Sequence, residues 1–189
     1  MQLISNIQST CETDLIASLY WVMVRHELGF DCQVENLLRL GCSHLGMEIG
    51  IVAEVTGERY EIANVHCSED IPLVAGDCFA LGDTYCNETL AADMPIGFHA
   101  AGESTWATHP AYQKFSLEAY LGTPIRCRGK VWGTLNFSSP QRRATPFSEA
   151  ETEFVQLMSV WIGSELHRLA SENDLRQREA ELKPIIEAY

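Results

Sequence analysis

The apolar positions along this chain change their period several times, and each change marks an element. From Met47 to Val55 and from Arg59 to Cys67 the sequence reads MEIGIVAEV and RYEIANVHC, around Thr56-Gly57-Glu58. Two runs of branched and aromatic residues separated by a short Gly-bearing turn predict a β-hairpin. The signal returns over residues 117–140, LEAYLGTPIRCRGKVWGTLNFSSP. Here apolar strand-length segments flank a charged turn, Arg126-Cys127-Arg128-Gly129-Lys130, and Gly122 and Gly133 sit inside the runs. This second hairpin locates the centre of a sheet.

Helical spacing governs three other stretches. Residues 11–28 predict a helix apolar over much of its circumference, with Asp14 as its cap and Gly29 as its stop. Such a helix must be buried in the core or against a partner. Residues 34–45 carry Val34, Leu37, Leu38 and Leu45 at helical intervals. Between the hairpins, residues 68–82 read as loop with a short extended piece near Cys78-Phe79. Asp83 is placed to cap a helix over TYCNETLAA. Pro95 opens a strand, PIGFHA, and residues 102–116 suit short helical turns and loop, broken at Pro110.

Ser148 and Glu151 fit a capping box, and no helix break follows until Pro184. A helix from 149 to 183 is about 52 Å long at its standard rise. A domain of ~150 residues has a radius of gyration of only about 15 Å, so this helix projects beyond its own domain. Its first half (Phe154, Val155, Leu157, Met158, Trp161, Ile162, Leu166) is apolar enough to pack on a sheet. Its second half carries Leu169, Leu175, Leu182 and Ile186 in a partial heptad, which suits pairing with a second copy. A helix with so thin an apolar stripe has little to stabilise it alone. The element order predicts an α+β fold around an antiparallel sheet.

Charge narrows the function. The 189-residue chain has a formal charge of −13, and residues 1–80 hold 12 Asp/Glu against Arg25, Arg39 and Arg59. Phosphate neutralisation needs clustered Lys and Arg, so a general nucleic-acid-binding face is excluded. An anionic membrane surface is disfavoured for the same reason. Arg126, Arg128, Lys130, Arg142 and Arg143 are five of the 13 basic residues, and they read as a solvated hairpin tip. The apolar run Leu15–Val24 is ten residues long, half of what a spanning helix needs. Seven scattered cysteines (11, 32, 42, 67, 78, 86 and 127) without a C-x-x-C pair predict reduced thiols in a cytoplasmic protein. The sequence lacks a G-x-S-x-G elbow, a phosphate loop and the close ligand pairs of a zinc site, so no catalytic machinery is expected.

Four stretches carry a family resemblance: LRLGCSHLGMEIGIVAEVTGERYEI, LGDTYCNETL, HPAYQKFSLEAYLGTPIRCRGKVWGTLNFSSP and the apolar start of the last helix. In this order and spacing the chain resembles a GAF domain, especially those of bacterial sensor histidine kinases and diguanylate cyclases. The resemblance implies a central antiparallel sheet with helices on one face and a ligand pocket on the other. It also implies a long C-terminal signalling helix, working in a dimer, that leads to an output domain. The expected division is an N-terminal helix for packing or dimer contact over 1–30, the GAF domain over 31–168, and an extension over 169–189 towards a missing output domain. The chain is then a fragment of a longer protein, paired as a homodimer through its N- and C-terminal helices.

The implied pocket roof runs from Tyr85 to Tyr112. Its candidate ligand-binding residues are Tyr85, Cys86, Phe98, His99, Trp106, His109 and Tyr112, with Tyr120 at the hairpin entrance. That inventory suits an apolar, aromatic site for a small molecule. No cofactor is required. The alternatives are a structural dimerisation module with a vestigial pocket, a bilin or haem protein, or a thiol-redox protein. Photoreceptor relatives tether bilin through a cysteine commonly followed by histidine. Here Cys86 precedes Asn87, and His66-Cys67 has the reverse order. Haem would need His99 or His109. Relatives that reduce free methionine sulfoxide carry thiols near Cys78 and Cys86. Their catalytic thiol would fall about Ala111-Tyr112, and no cysteine lies between Cys86 and Cys127.

Overall fold

Both predicted hairpins join in one sheet. The computed structural model describes residues 15–187, with side chains through Lys183. The expected cap Asp14 and the side chain of Ile186 lie outside the described residues. Strands β1 (Ile49–Thr56), β2 (Arg59–Cys67), β3 (Cys78–Ala80), β4 (Ile96–Phe98), β5 (Ala119–Cys127) and β6 (Lys130–Ser139) form a six-stranded sheet. Their order is β3-β2-β1-β6-β5-β4, and every pairing is antiparallel. The β5–β6 turn is tighter than the predicted five residues. Arg128 (φ 54°) and Gly129 (φ 75°) alone form its centre, and two positive φ values match the twist of a two-residue hairpin.

Two glycines set how closely the central strands pack. A Cβ at Gly133 would run into the carbonyl oxygen of Ala53 on β1, and a Cβ at Gly122 would meet the hydroxyl of Tyr120. The first allows close backbone approach at the β1–β6 pairing. The second lets the Tyr120 ring lie along its own strand.

Successive side chains on a strand face opposite ways, and here the two faces have different partners. Val52, Leu121, Ile125, Leu135 and Phe137 face the helices. Against them pack α1 (15–23), α2 (Phe30–Leu45) and α5 (Glu149–Glu187), through Leu19, Val34, Leu37, Leu38, Met158 and Ile162. Helices on one face of an antiparallel sheet define the predicted α+β, GAF-like fold. The other face carries Ile49, Ile51, Tyr60, Ile62 and Tyr120, covered by α3 (Cys86–Ala92), α4 (Pro110–Phe115) and the loops between strands.

Several boundaries differ from the sequence expectation. The first helix ends at 23, not 28, and a 3-10 turn, His26–Leu28, follows. Buried Gln33 donates Nε2 to the carbonyls of Val22 (3.0 Å) and Met23 (3.1 Å), supplying partners for the free end of α1. Asp83 is not a helix cap. It closes a 3-10 turn, Leu81–Asp83, and its carboxylate takes Lys114 at 2.7 Å, while α3 begins at Cys86. The capping box does form. Ser148 N–H donates to Glu151 Oε2 (2.7 Å), and Glu151 N–H donates to Ser148 Oγ (3.2 Å). Beyond it α5 runs 39 residues, about 58 Å, and passes through Pro184. A proline removes one backbone bond and does not by itself end a helix. Among the described residues no helix is long and apolar enough to cross a membrane.

Candidate functional site

Between the helix-free face of the sheet and its covering loops lies a cavity of about 590 Å³. Its floor is set by strand alternation: Ile49 and Ile51 from β1, Tyr60 and Ile62 from β2, Tyr120 from β5, Asn136 and Ser138 from β6. Its roof comes from Ile71, Pro72 and Leu73, from Cys78 and Phe79 on β3, from Tyr85 and Cys86 at the start of α3, and from Ala111 and Phe115 on α4. The lining is mostly apolar. Its one ionisable carboxylate is Asp77, and it contains no Lys, Arg or His.

Under the cavity runs a connected set of polar groups. Asn136 Nδ2 donates to the Tyr60 hydroxyl (3.1 Å) and lies 3.4 Å from Cys86 Sγ. Thr134 Oγ1 and the Tyr120 hydroxyl point at the same sulfur, at 3.2 and 3.4 Å. Tyr120 and Thr89 share a hydrogen bond of 2.8 Å. Burial pushes the Cys86 thiol up, against the pull of these donors, and raises Tyr60 and Tyr120 well above the usual phenol range. Cys86 is therefore held as a neutral thiol, a packed polar group rather than a nucleophile.

Of the eight predicted ligand-binding residues, Tyr85, Cys86 and Tyr120 line the cavity. Phe98, Trp106 and His109 form an aromatic side wall with Tyr85. Phe98 stacks on Trp106 (4.6 Å between centroids) and meets Tyr85 edge-on (4.8 Å), and His109 lies 4.9 Å from Tyr85. His109 caps α4, its Nδ1 accepting the Ala111 N–H at 3.1 Å, and its Nε2 faces Glu88 at 3.7 Å. Tyr112 turns away and donates its hydroxyl to Glu118 (2.7 Å). His99 lies outside the cavity, in a smaller surface depression with Glu103, Arg142 and Arg143.

The sequence reading missed the 71–79 part of the roof, Phe115, and the β6 floor residues Asn136 and Ser138. A readable signal existed for the last two. Polar residues alternate with Leu135 and Phe137 on a central strand that has no solvent face. The basic hairpin tip is tied to acidic partners. Arg126 pairs with Asp93, Arg128 with Asp174 (2.8 Å), Arg142 with Glu103 (2.6 Å) and Arg143 with Glu151. No group of three metal-ligating side chains occurs among the described residues.

Comparison with known proteins agrees with this architecture. The GAF domain from a phosphoenolpyruvate-protein phosphotransferase of Acinetobacter superposes with a TM-score of 0.66 at 14% identity, covering 85% of this chain and 97% of that one. The chromophore-binding domain of an R. palustris bacteriophytochrome gives 0.72 at 11% identity, covering 86% and 63%. The phycocyanobilin-bound GAF domain of a cyanobacterial phytochrome gives 0.68 at 14% identity, covering 84% and 96%. Identities this low establish the fold alone. No curated protein matches the chain. The sequence profile of the GAF domain matches residues 30–166, most of the chain, and on that match the chain belongs to the GAF domain family.

Proposed function

We propose that this chain is a cytoplasmic sensory domain. It binds a small molecule in the cavity and passes the event through α5 to a kinase or cyclase output domain in a homodimer. It acts by binding, not by catalysis. The observation that carries the proposal is the two-sided sheet: one face is filled by helices, while the other keeps a largely apolar cavity. A protein needing only a scaffold has no reason to leave that volume unpacked, because interiors otherwise fill to crystal-like density.

A route from cavity to output helix is present. α3 brings Cys86 to the cavity wall and Thr89 against the Tyr120 hydroxyl, and Asp93, just past its end, pairs with Arg126 on the β5–β6 hairpin. Two residues on, Arg128 pairs with Asp174 of α5. Gly163 of α5 presses on the backbone of Arg126. A shift of α3 on ligand binding thus reaches α5 through the hairpin tip. Apolar side chains left bare on α1 and α5, such as Trp21 (63% exposed) and Val160 (64%), with Leu175 and Leu182, supply a surface for a second copy.

The residues do not fit a bilin or haem. A bilin brings two propionates, and no basic side chain lines the cavity to meet them. His109 spends Nδ1 on the α4 cap, and His99 lies elsewhere, so neither is poised as a haem ligand. Thiol-redox chemistry at Cys86 is disfavoured by its enclosure and its raised thiol pKa.

The test is a thermal-shift screen of uncharged and charged metabolites against the chain and an Ile62→Trp variant that fills the cavity. A ligand at one hundred times its Kd adds about 2.7 kcal/mol. At this chain length that raises Tm by roughly 5–10 °C. The expected hit shifts the unmodified chain and not the variant. Hits that shift both equally would place binding elsewhere.

A further inference from the structure

Two polar side chains in the cavity floor each leave an oxygen without a protein partner among the described residues. Asn136 and Ser138 are each 3% exposed, two residues apart on β6, and both line the cavity. Asn136 spends Nδ2 on Tyr60 and Cys86, and its Oδ1 accepts no hydrogen bond from any described residue. The Ser138 hydroxyl has no side-chain or backbone partner among the described residues either. Neither atom is sealed from solvent: the one sealed, unpartnered side-chain atom among the described residues is Arg143 Nη1. Both groups therefore open into the cavity. An apolar ligand that displaces cavity water must replace the bonds that water makes to these atoms, or leave them unsatisfied at a cost.

We infer that the ligand is an uncharged, largely apolar molecule whose polar end donates a hydrogen bond to Asn136 Oδ1 and exchanges one with the Ser138 hydroxyl. The inference rests on the sensor-pocket reading above. An amide or an alcohol on a hydrocarbon or aromatic body fits. The body lies against Ile49, Ile51, Ile62, Leu73, Phe79 and Phe115. A carboxylate or phosphate head does not fit. The cavity offers anions the Ser138 hydroxyl as a donor but no cation. Asp77 stands on the wall with Oδ2 already accepting the Val74 N–H at 3.0 Å, and the whole chain is acidic. A buried anion without a cation or several donors is strongly disfavoured.

The specificity device is the alternation on β6. Leu135 and Phe137 anchor the strand in the helix-side core, which fixes which way the residues between them face. Asn136 and Ser138 thus sit on a rigid element, and their spacing along the strand sets two adjacent hydrogen-bonding points about 7 Å apart at most. A planar amide or a hydroxyl beside a carbonyl can bridge such points.

Naphthalene-2-carboxamide and naphthalene-2-carboxylate share one body and differ in the head, so they test the inference by calorimetry on the full chain. The expected result is amide binding at least about tenfold tighter than carboxylate binding. Ser138→Ala weakens the amide roughly three- to tenfold, the loss expected for one neutral hydrogen bond. Asn136→Leu does the same, and its melting curve checks that the fold persists without the bond to Tyr60. Ser139→Ala is the control: its hydroxyl engages Glu48 and the Gln141 N–H, outside the cavity, and the amide affinity holds. Carboxylate binding equal to or tighter than the amide overturns the ligand class and leaves the sensor pocket standing. Amide binding indifferent to both β6 variants overturns the role of Asn136 and Ser138. If neither compound binds at millimolar concentration, the sensor-pocket reading itself fails.

Discussion

Gly163 is the position where the packing of the output helix on the sheet can be tested with one methyl group. It is buried within α5, and a Cβ there would lie 3.1 Å from the Arg126 carbonyl carbon. It would fall closer still to the carbonyl oxygen, well inside the 3.0 Å below which real Cβ contacts essentially never occur. The obstruction is backbone, so no side-chain rotation relieves it. Helix and hairpin must part by roughly an ångström, and overpacking of this kind costs about 1–3 kcal/mol. Against that, Ala is better than Gly inside a helix by about 1 kcal/mol. The expected net loss for Gly163→Ala is about 0–2 kcal/mol, which lowers Tm by up to roughly 8 °C at this size. Ser164→Ala is the control. Its exposed hydroxyl bonds back to the Val160 carbonyl, and removing it leaves Tm level or raises it slightly. Urea melts and thermal scans of the three proteins decide the matter. A Gly163→Ala variant that melts higher would mean that helix propensity acts unopposed, and the close contact of α5 with β5 would be refuted.

Three further outcomes follow from particular contacts. Tyr120→Phe strips a hydroxyl from Thr89 and Cys86 inside the sealed floor, and a loss of about 1–3 kcal/mol is expected in urea unfolding. A change below the error of that measurement would dissolve the polar floor. Acid should destabilise the fold. Glu118 is held below the ordinary carboxylate range by the Tyr112 hydroxyl and the Gly102 N–H. For Glu151, burial pulls upward but is outweighed by the Ser148 N–H and Arg143, and burial lowers His44. Each of these groups binds protons more readily unfolded than folded. Their stabilisation is full above the unfolded values, near 6.5 for His44 and 4.5 for the glutamates, and fades as pH falls through the lower folded values. Urea midpoints should drop from pH 7 to pH 4, less steeply in Glu118→Gln; a rise on acidification would contradict this. Arg128→Ala and Asp174→Ala should each speed amide exchange over 170–183 to the same degree, with no added effect in the double variant. Additive effects would show that the two residues act separately.

The second hairpin was legible because its information is local. The Gly-bearing turn, the β-prone runs and the internal glycines each have a counterpart in the sheet, with Gly122 making room for Tyr120 and Gly133 for the backbone of β1. The capping box at Ser148 is equally local, since both partners lie within one turn. Asp83 was misplaced because a tertiary contact, Lys114, claims its carboxylate. Ile71 and Leu73 have no period to read: they are apolar residues in a loop, and only the fold shows that they face inward. His109, Trp106 and Phe98 look like ligand residues by type, yet they spend their surfaces on one another. Asn136 and Ser138 carried a readable signal that points the other way when taken locally. Polar residues on alternate strand positions suggest a solvent face, and on this central strand that face is the cavity floor.

The cavity itself can be probed without knowing its ligand. Xenon enters apolar cavities, and isoleucine methyl groups labelled with carbon-13 report where it goes. Ile49, Ile51, Ile62 and Ile71 line the cavity, whereas Ile125 and Ile162 lie in the close-packed helix-side core. Under xenon pressure the first four methyl resonances should move together and saturably while the other two hold still. If the four stay fixed, or if all six move alike, the sheet has no separate pocket and the sensory account fails.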